Sequence, residues 1–236
     1  MLLGAAVLML VLPLRTGPGS GSGIHPVPPF SPHALAPRRP EFGAEPASDE
    51  VRRLAAWIVA SSDNGRRWFV ILDKRLARIY LFQPDGRLQG ASTVLLGSAP
   101  GDDSVVGIGT RPIADVLPAE RTTPAGRFVA RPGRNALAED VVWVDYDAAV
   151  SMHKVRLTNP AEHRLQRLAS QRVQDKRISY GCINLPPAFF ESQVWPHFRN
   201  EGGIVYVLPE IKSPEAVFPG LSALAAADPI PTAMKG

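Results

Sequence analysis

A thiol, a hydroxyl, a phenol and a carboxamide lie close together in the stretch Arg177-Ile178-Ser179-Tyr180-Gly181-Cys182-Ile183-Asn184-Leu185. The glycine before Cys182 lets another backbone approach closely, and consecutive amides at such a turn sit where a developing oxyanion needs donors. That arrangement suits acyl transfer, in which a thiolate attacks a carbonyl carbon. The thiol then needs a base. Upstream, Val150-Ser151-Met152-His153-Lys154-Val155 follows an expected strand and offers an imidazole that would reach the thiol across the fold and deprotonate it. Taken singly, a cysteine is most often a small buried hydrophobe and a histidine a surface or satisfied core residue. The pairing of the two favours chemistry.

Cys182 is the single cysteine of the chain, so no intrachain disulfide forms, and an unpaired thiol in a secreted protein points to a reactive site or to intermolecular pairing. A zinc site from His153, His163 and Cys182 would lack the close C-x-x-C or H-x-x-x-H spacing of such sites, so neither metal nor cofactor is expected. The net charge of +4 favours anionic surroundings without singling out nucleic acid, and an acidic wall polymer or a membrane surface serves equally well. No nucleic-acid partner is expected. The sequence carries no signal for oligomeric state.

These residues must be held by a core, and 236 residues with 45% hydrophobic content supply one domain plus tails. Residues 1–15 are apolar up to Arg15 and read as a secretory signal or an N-terminal anchor. Residues 16–47 are dense in Pro and Gly and read as a disordered linker. Residues 48–209 form the expected domain, and residues 210–236, rich in Pro and Ala, a flexible tail. Within the domain, Ser48 or Asp49 caps a helix to about residue 61, with Val51, Leu54, Ala55 and Ile58 on one face and Asn64-Gly65 ending it. Strands are expected at 68–73, 77–82, 88–96, 126–130, 141–146 and 204–208, with a long loop at 97–112. A short amphipathic helix is expected at 161–170 and another from Pro186-Pro187 towards Val194.

The pattern Ser179-x-Gly181-Cys182-Ile183-Asn184 resembles the active-site signature of the L,D-transpeptidase catalytic domain, also called the YkuD domain. Residues 69–82 are similar to that family's opening hairpin, and Thr123-Pro124-Ala125-Gly126-Arg127-Phe128 to its T-P-x-G-x-F segment. The resemblance spans roughly residues 68–208. It implies a mainly β fold, a curved β-sandwich with a few short helices. It also implies Cys182 as nucleophile, His153 as general base, and the Lys154 carbonyl as the group that orients the imidazole. Amides of Tyr180, Gly181 and Cys182 would line the oxyanion site, with Ser179 and Asn184 bracing the loop.

The implied activity is transfer of a peptidoglycan stem peptide through a thioester on Cys182. Alternatives on the same fold are a wall hydrolase, an L,D-carboxypeptidase or amidase, and an inactive wall-binding module. The implied location is periplasmic or otherwise exported, with inner-membrane association if the N-terminal segment is retained. Two departures stand out: Tyr180 occupies a position where the family has histidine, and Lys154 one where it has a small residue. The span from His153 to Ser179 is also longer than usual, and its Arg164 and Arg167, with Arg177, read either as a solvated face or as a clamp for stem-peptide carboxylates.

Overall fold

A computed structural model describes residues 39–222. The calls on residues 1–15, most of 16–47 and the end of 210–236 lie outside that range. Ten strands run in chain order: β1 Phe69–Asp73, β2 Arg78–Phe82, β3 Leu88–Thr93, β4 Leu96–Gly97, β5 Gly126–Arg134, β6 Asp140–Asp145, β7 Val150–Lys154, β8 Arg177–Ser179, β9 Ile183–Leu185 and β10 Gly203–Val207. Eight of them form one sheet in the order β3-β2-β1-β10-β5-β6-β7-β9, and β4 pairs with β8. The chain is mainly β, as expected. The sheet curves because β5 serves two halves: Gly126–Ala130 pair with β10, and Arg131–Arg134 pair with β6.

Curvature brings the two halves face to face over one apolar core, built from Val70, Leu72, Ile79 and Leu81 on one side and Val142, Met152, Ile183 and Leu185 on the other. The first half is also covered on its outer face. Helix α1, Asp49–Ser61, lays Val51, Leu54, Ala55 and Ile58 there against Phe69, Ile71, Tyr80 and Tyr206. Every residue of β1 is buried, which explains its unbroken apolar run where a half-exposed strand would alternate. Ser48 starts α1 by accepting the Val51 N–H at 3.3 Å, while its own hydroxyl donates to Asp73 at 2.7 Å. The helix runs to Ser61, as expected, and is closed by Ser62 in the left-handed region, φ 55°, ahead of Asn64-Gly65.

Three boundaries differ from expectation. The end of the expected linker is folded onto the sheet: Phe42 is buried against Phe82, Glu41 bridges Arg87, and Glu45 pairs with Arg78. The expected tail likewise continues inward, since Ser213 caps a short helix, Pro214–Val217, that delivers Phe218 and Leu221 to the outer core. The expected strand 88–96 changes partner at Thr93: Leu95 leaves β2 and exchanges both backbone hydrogen bonds with Asn184, each 2.9 Å.

β7, β8 and β9 were not separately legible. β7 and β9 are parallel, pairing Met152 with Ile183 and His153 with Asn184, and parallel neighbours require a crossover of about a dozen residues or more. The span between His153 and Ser179 supplies it. Its helix α2, Arg164–Ala169, is pinned by Leu168 in a small core with Leu95 and Val155, and by the Thr93 hydroxyl on the Leu168 carbonyl at 3.0 Å. After Pro186 the helical run passes through a π turn, Phe190–Val194, and ends at Phe198, beyond the expected Val194. Among the described residues no helix is long and apolar enough to cross a membrane.

Candidate active site

Side chains alternate along a strand. With Met152 and Ile183 turned into the core, His153 and Asn184 share the opposite face. The chain enters that face through the turn Tyr180-Gly181-Cys182. Gly181 has φ +127°, and a Cβ there would stand 2.7 Å from the Thr122 carbonyl oxygen, so glycine is required on both counts. The Thr123 hydroxyl donates to the Gly181 carbonyl at 2.8 Å, and Ser179 Oγ donates to the Cys182 carbonyl at 2.6 Å while accepting the Gly181 N–H at 3.1 Å. The turn is therefore fixed from both sides.

Cys182 is half-buried. Its thiol donates to the Ala149 carbonyl at 3.6 Å and lies 3.7 Å from Ser151 Oγ. Burial pushes the thiol pKa up, but the hydrogen bond and charge of His153, helped by Ser151, outweigh it and bring the pKa below the ordinary thiol value. Burial likewise pulls His153 down. The interaction with Cys182 and the Lys154 carbonyl outweigh that, leaving the imidazole raised. Opposite shifts on adjacent groups favour a thiolate beside an imidazolium, titrating as one coupled pair.

The imidazole is held at both nitrogens. Nδ1 faces the Lys154 carbonyl at 2.8 Å and Nε2 faces Asn184 Nδ2 at 3.1 Å. A ring with Nδ1–H donating to the carbonyl carries its lone pair on Nε2, where Asn184 donates to it. The Lys154 ammonium turns outward to Glu191 at 2.7 Å, so a long side chain fits here because only the backbone of this residue meets the site. Tyr180 is exposed, with the Arg121 guanidinium 4.1 Å from its ring centre.

Of the three amides expected to line an oxyanion site, that of Gly181 is already donated to Ser179. Those of Tyr180 and Cys182 have no acceptor among the described residues. Two amides adjoining the thiol along the chain thus lack a protein acceptor, and donors of this kind can stabilise charge developing on a carbonyl oxygen.

A cleft of about 240 Å³ opens over Cys182 and is lined by His153, Arg156, Glu162, Arg164, Tyr180 and Asn184, with Ile113 at its rim. Only one of the three arginines expected to meet substrate belongs to it. Arg167 donates to the carbonyls of Glu162 and Asp175 at 2.8 and 2.9 Å, closing the crossover on itself. Arg177 points elsewhere, into an ion pair with Glu210 and onto the Lys74 carbonyl. Arg164 does reach the cleft wall, but its guanidinium is engaged by Glu162 and by Asn184 Oδ1. Arg156 lies half-buried in the cleft, its buried Nε 3.5 Å from Glu139 in an ion pair without hydrogen-bond geometry. The sequence pattern did not single out Arg156 as a cleft residue, or Ser151 or Thr123 as neighbours of the motif.

No family model matches the chain, and no curated protein does. Solved structures that resemble it include L,D-transpeptidases. The imipenem-bound L,D-transpeptidase LdtMt1 is 15% identical, with TM-score 0.36 over 60% of this chain and 58% of that one. An L,D-transpeptidase of Enterococcus faecium is 18% identical, with TM-score 0.34 over 60% and 50%. The helical cell shape determining protein Pgp2 of Campylobacter jejuni is 13% identical, with TM-score 0.42 over 77% and 64%. The chain thus spans between 50% and 64% of the length of these three. The likeness is slight, and the fold class stands on the strands themselves.

Proposed function

We propose that the protein is an exported, cysteine-dependent acyltransferase of the L,D-transpeptidase kind, acting on peptidoglycan stem peptides. The observation that carries this is the half-buried Cys182 thiol set between an oriented imidazole and two unengaged amides. In the proposed reaction His153 Nε2 takes the thiol proton and the sulfur attacks an amide carbonyl of the stem peptide. The two amides receive the oxyanion. The C–N bond then breaks, His153 returns the proton to the departing amine, and a thioester remains on Cys182. An acceptor amine attacks the thioester, gives up a proton to His153, and releases the thiol.

Among the cleft-lining cations, Arg156 makes no hydrogen bond to the described residues, its buried Nε facing Glu139, and the remaining edge of its guanidinium suits a carboxylate of the donor stem. Incubation of the full chain with a tetrapeptide stem, with and without an amine acceptor peptide, tests the reading. Crosslinked product that appears only with acceptor is the expected outcome. Release of the terminal residue without crosslinking would assign hydrolysis, and no change in donor would refute acyl transfer on this substrate.

A further inference from the structure

We infer that Arg164 is a positioning residue for the Cys182–His153 pair: through Asn184 it selects the imidazole tautomer that carries its lone pair on Nε2, the nitrogen that takes the thiol proton once the Asn184 amide yields that place. The inference rests on the acyl-transfer reading and gives Arg164 a different task from clamping substrate. Arg164 is 15% exposed in its side chain, and Nη1 stands 2.5 Å from Asn184 Oδ1. A guanidinium only donates. It therefore draws the carboxamide oxygen to itself and leaves the NH2 group facing His153 Nε2 at 3.1 Å. An N–H donor at that place favours a lone pair on Nε2, and the Lys154 carbonyl at 2.8 Å favours a proton on Nδ1. Both ends of the ring thus select one tautomer.

The backbone of Asn184 is fixed by two hydrogen bonds to Leu95, so the main freedom left to this side chain is rotation of its amide. Without the guanidinium, rotation brings Oδ1 to Nε2. An oxygen there accepts a proton from Nε2, so the lone pair that takes the thiol proton is lost. The charged and titratable groups facing the ring are Cys182 and Arg156, with Arg164 and Glu162 behind Asn184, while the Lys154 ammonium is turned away to Glu191. Of these side chains, Arg164 is the one that fixes the rotation of the Asn184 amide, with a long contact from Nδ2 to the Cys182 carbonyl at 3.5 Å beside it.

The test uses the full chain labelled with 15N-histidine, the His153 signals being identified by their loss in His153→Ala. In the wild type the neutral ring should show Nδ1–H and an unprotonated Nε2. In Arg164→Met the neutral ring's signals should move towards Nε2–H and the imidazolium should persist to higher pH, so the pH limb of iodoacetamide alkylation of Cys182 should move to lower pH. Turnover of stem peptide, which needs the Nε2 lone pair, should fall roughly tenfold, the scale of one net hydrogen bond to a charged group. Arg164→Lys, which retains a donor, should recover a large part of the rate. An unchanged tautomer and alkylation profile in folded Arg164→Met would overturn the inference, as would a rise in KM for stem peptide alone. If Arg164→Met does not fold, Asn184→Asp decides, because it presents oxygen to Nε2 with Arg164 retained: a displaced ring titration supports the relay and an unchanged one refutes it. A wild-type Cys182 that alkylates as an ordinary thiol would instead sink the acyl-transfer reading, whatever the variants do.

Discussion

Two polar clusters hang on the short stretch from Arg177 to Asn184, and they are built on opposite principles. At its start, Arg177 joins Glu210, Lys74 and Asp102. The Lys74 ammonium is fully buried and donates to Asp102 at 2.7 Å, to the Gly101 carbonyl at 2.5 Å and to the Thr123 carbonyl at 2.9 Å. Asp102 also accepts three amides, from Glu210, Ile211 and Lys212. At its end, the thiol is held only by long contacts and two amides point at no acceptor. Saturation fixes a fold, because each buried group has a partner. Unused donors beside a perturbed thiol are what a reacting carbonyl needs. Thr123 links the clusters, its carbonyl on Lys74 and its hydroxyl on the Gly181 carbonyl.

The sharpest way to break this comparison is to remove one group from each cluster. Cys182→Ala should lose turnover by at least about 10⁴-fold, the scale seen when a nucleophile is deleted, with stability unchanged within about 1 kcal/mol. Loss of the fold in that variant would place the thiol among the structural groups. Lys74→Met should do the reverse. It strands Asp102 without its buried counter-charge, which costs about 3–5 kcal/mol, read as a lowered denaturation midpoint. A midpoint within error of wild type would show that the cluster does not hold the fold.

Acid should separate the clusters too. Burial alone would raise Asp102, but the Lys74 ammonium and the three amides hold it down to about 2 from 3.8. A depressed carboxyl stabilises the folded state above its unfolded pKa and loses that contribution as pH falls through the folded value. Stability supplied by Asp102 is therefore complete above 3.8 and fades towards about 2. Acid titration of unfolding should show this limb in wild type and not in Asp102→Asn. The thiol pair should respond at higher pH, since His153 is raised and Cys182 lowered. Alkylation of Cys182 should accordingly begin below the range of a free thiol.

Much of this division was legible in the residues. Gly181 beside Cys182 marked a turn that admits another chain, and the Thr122 carbonyl fills that space. Helix α1 followed from its apolar spacing and its Ser48 cap. The short strands β8 and β9 were hidden because three residues carry no periodicity, and both are defined by distant partners, Leu96 and Met152 among them. The arginines misled for a related reason. A basic run shows charge but not direction, so nothing local distinguished Arg177, turned into a buried ion pair with Glu210, from Arg156, which lines the cleft with a longer pair to Glu139. The end of the linker and the start of the tail, rich in Pro, concealed single anchors such as Phe42 and Phe218.

A smaller effect refines the cleft itself. Arg156→Gln should raise KM for an anionic stem peptide by roughly tenfold, as one charge-assisted contact is removed, with kcat nearly constant. The loss should shrink in high salt, because exposed charge attraction is screened over about 8 Å at physiological ionic strength. An equal loss for a neutral donor would assign Arg156 to the pocket's structure.

A covalent acyl group at Cys182 is the central requirement of the proposed reaction. Full-length protein mixed with a tetrapeptide stem and quenched in acid within its first turnovers should gain the mass of the donor less its terminal residue. Proteolytic mapping should place that mass on the peptide containing Cys182, and Cys182→Ala should gain none. Donor consumed by the wild type with no adduct at any quench time, or consumed equally by Cys182→Ala, would contradict a thioester mechanism.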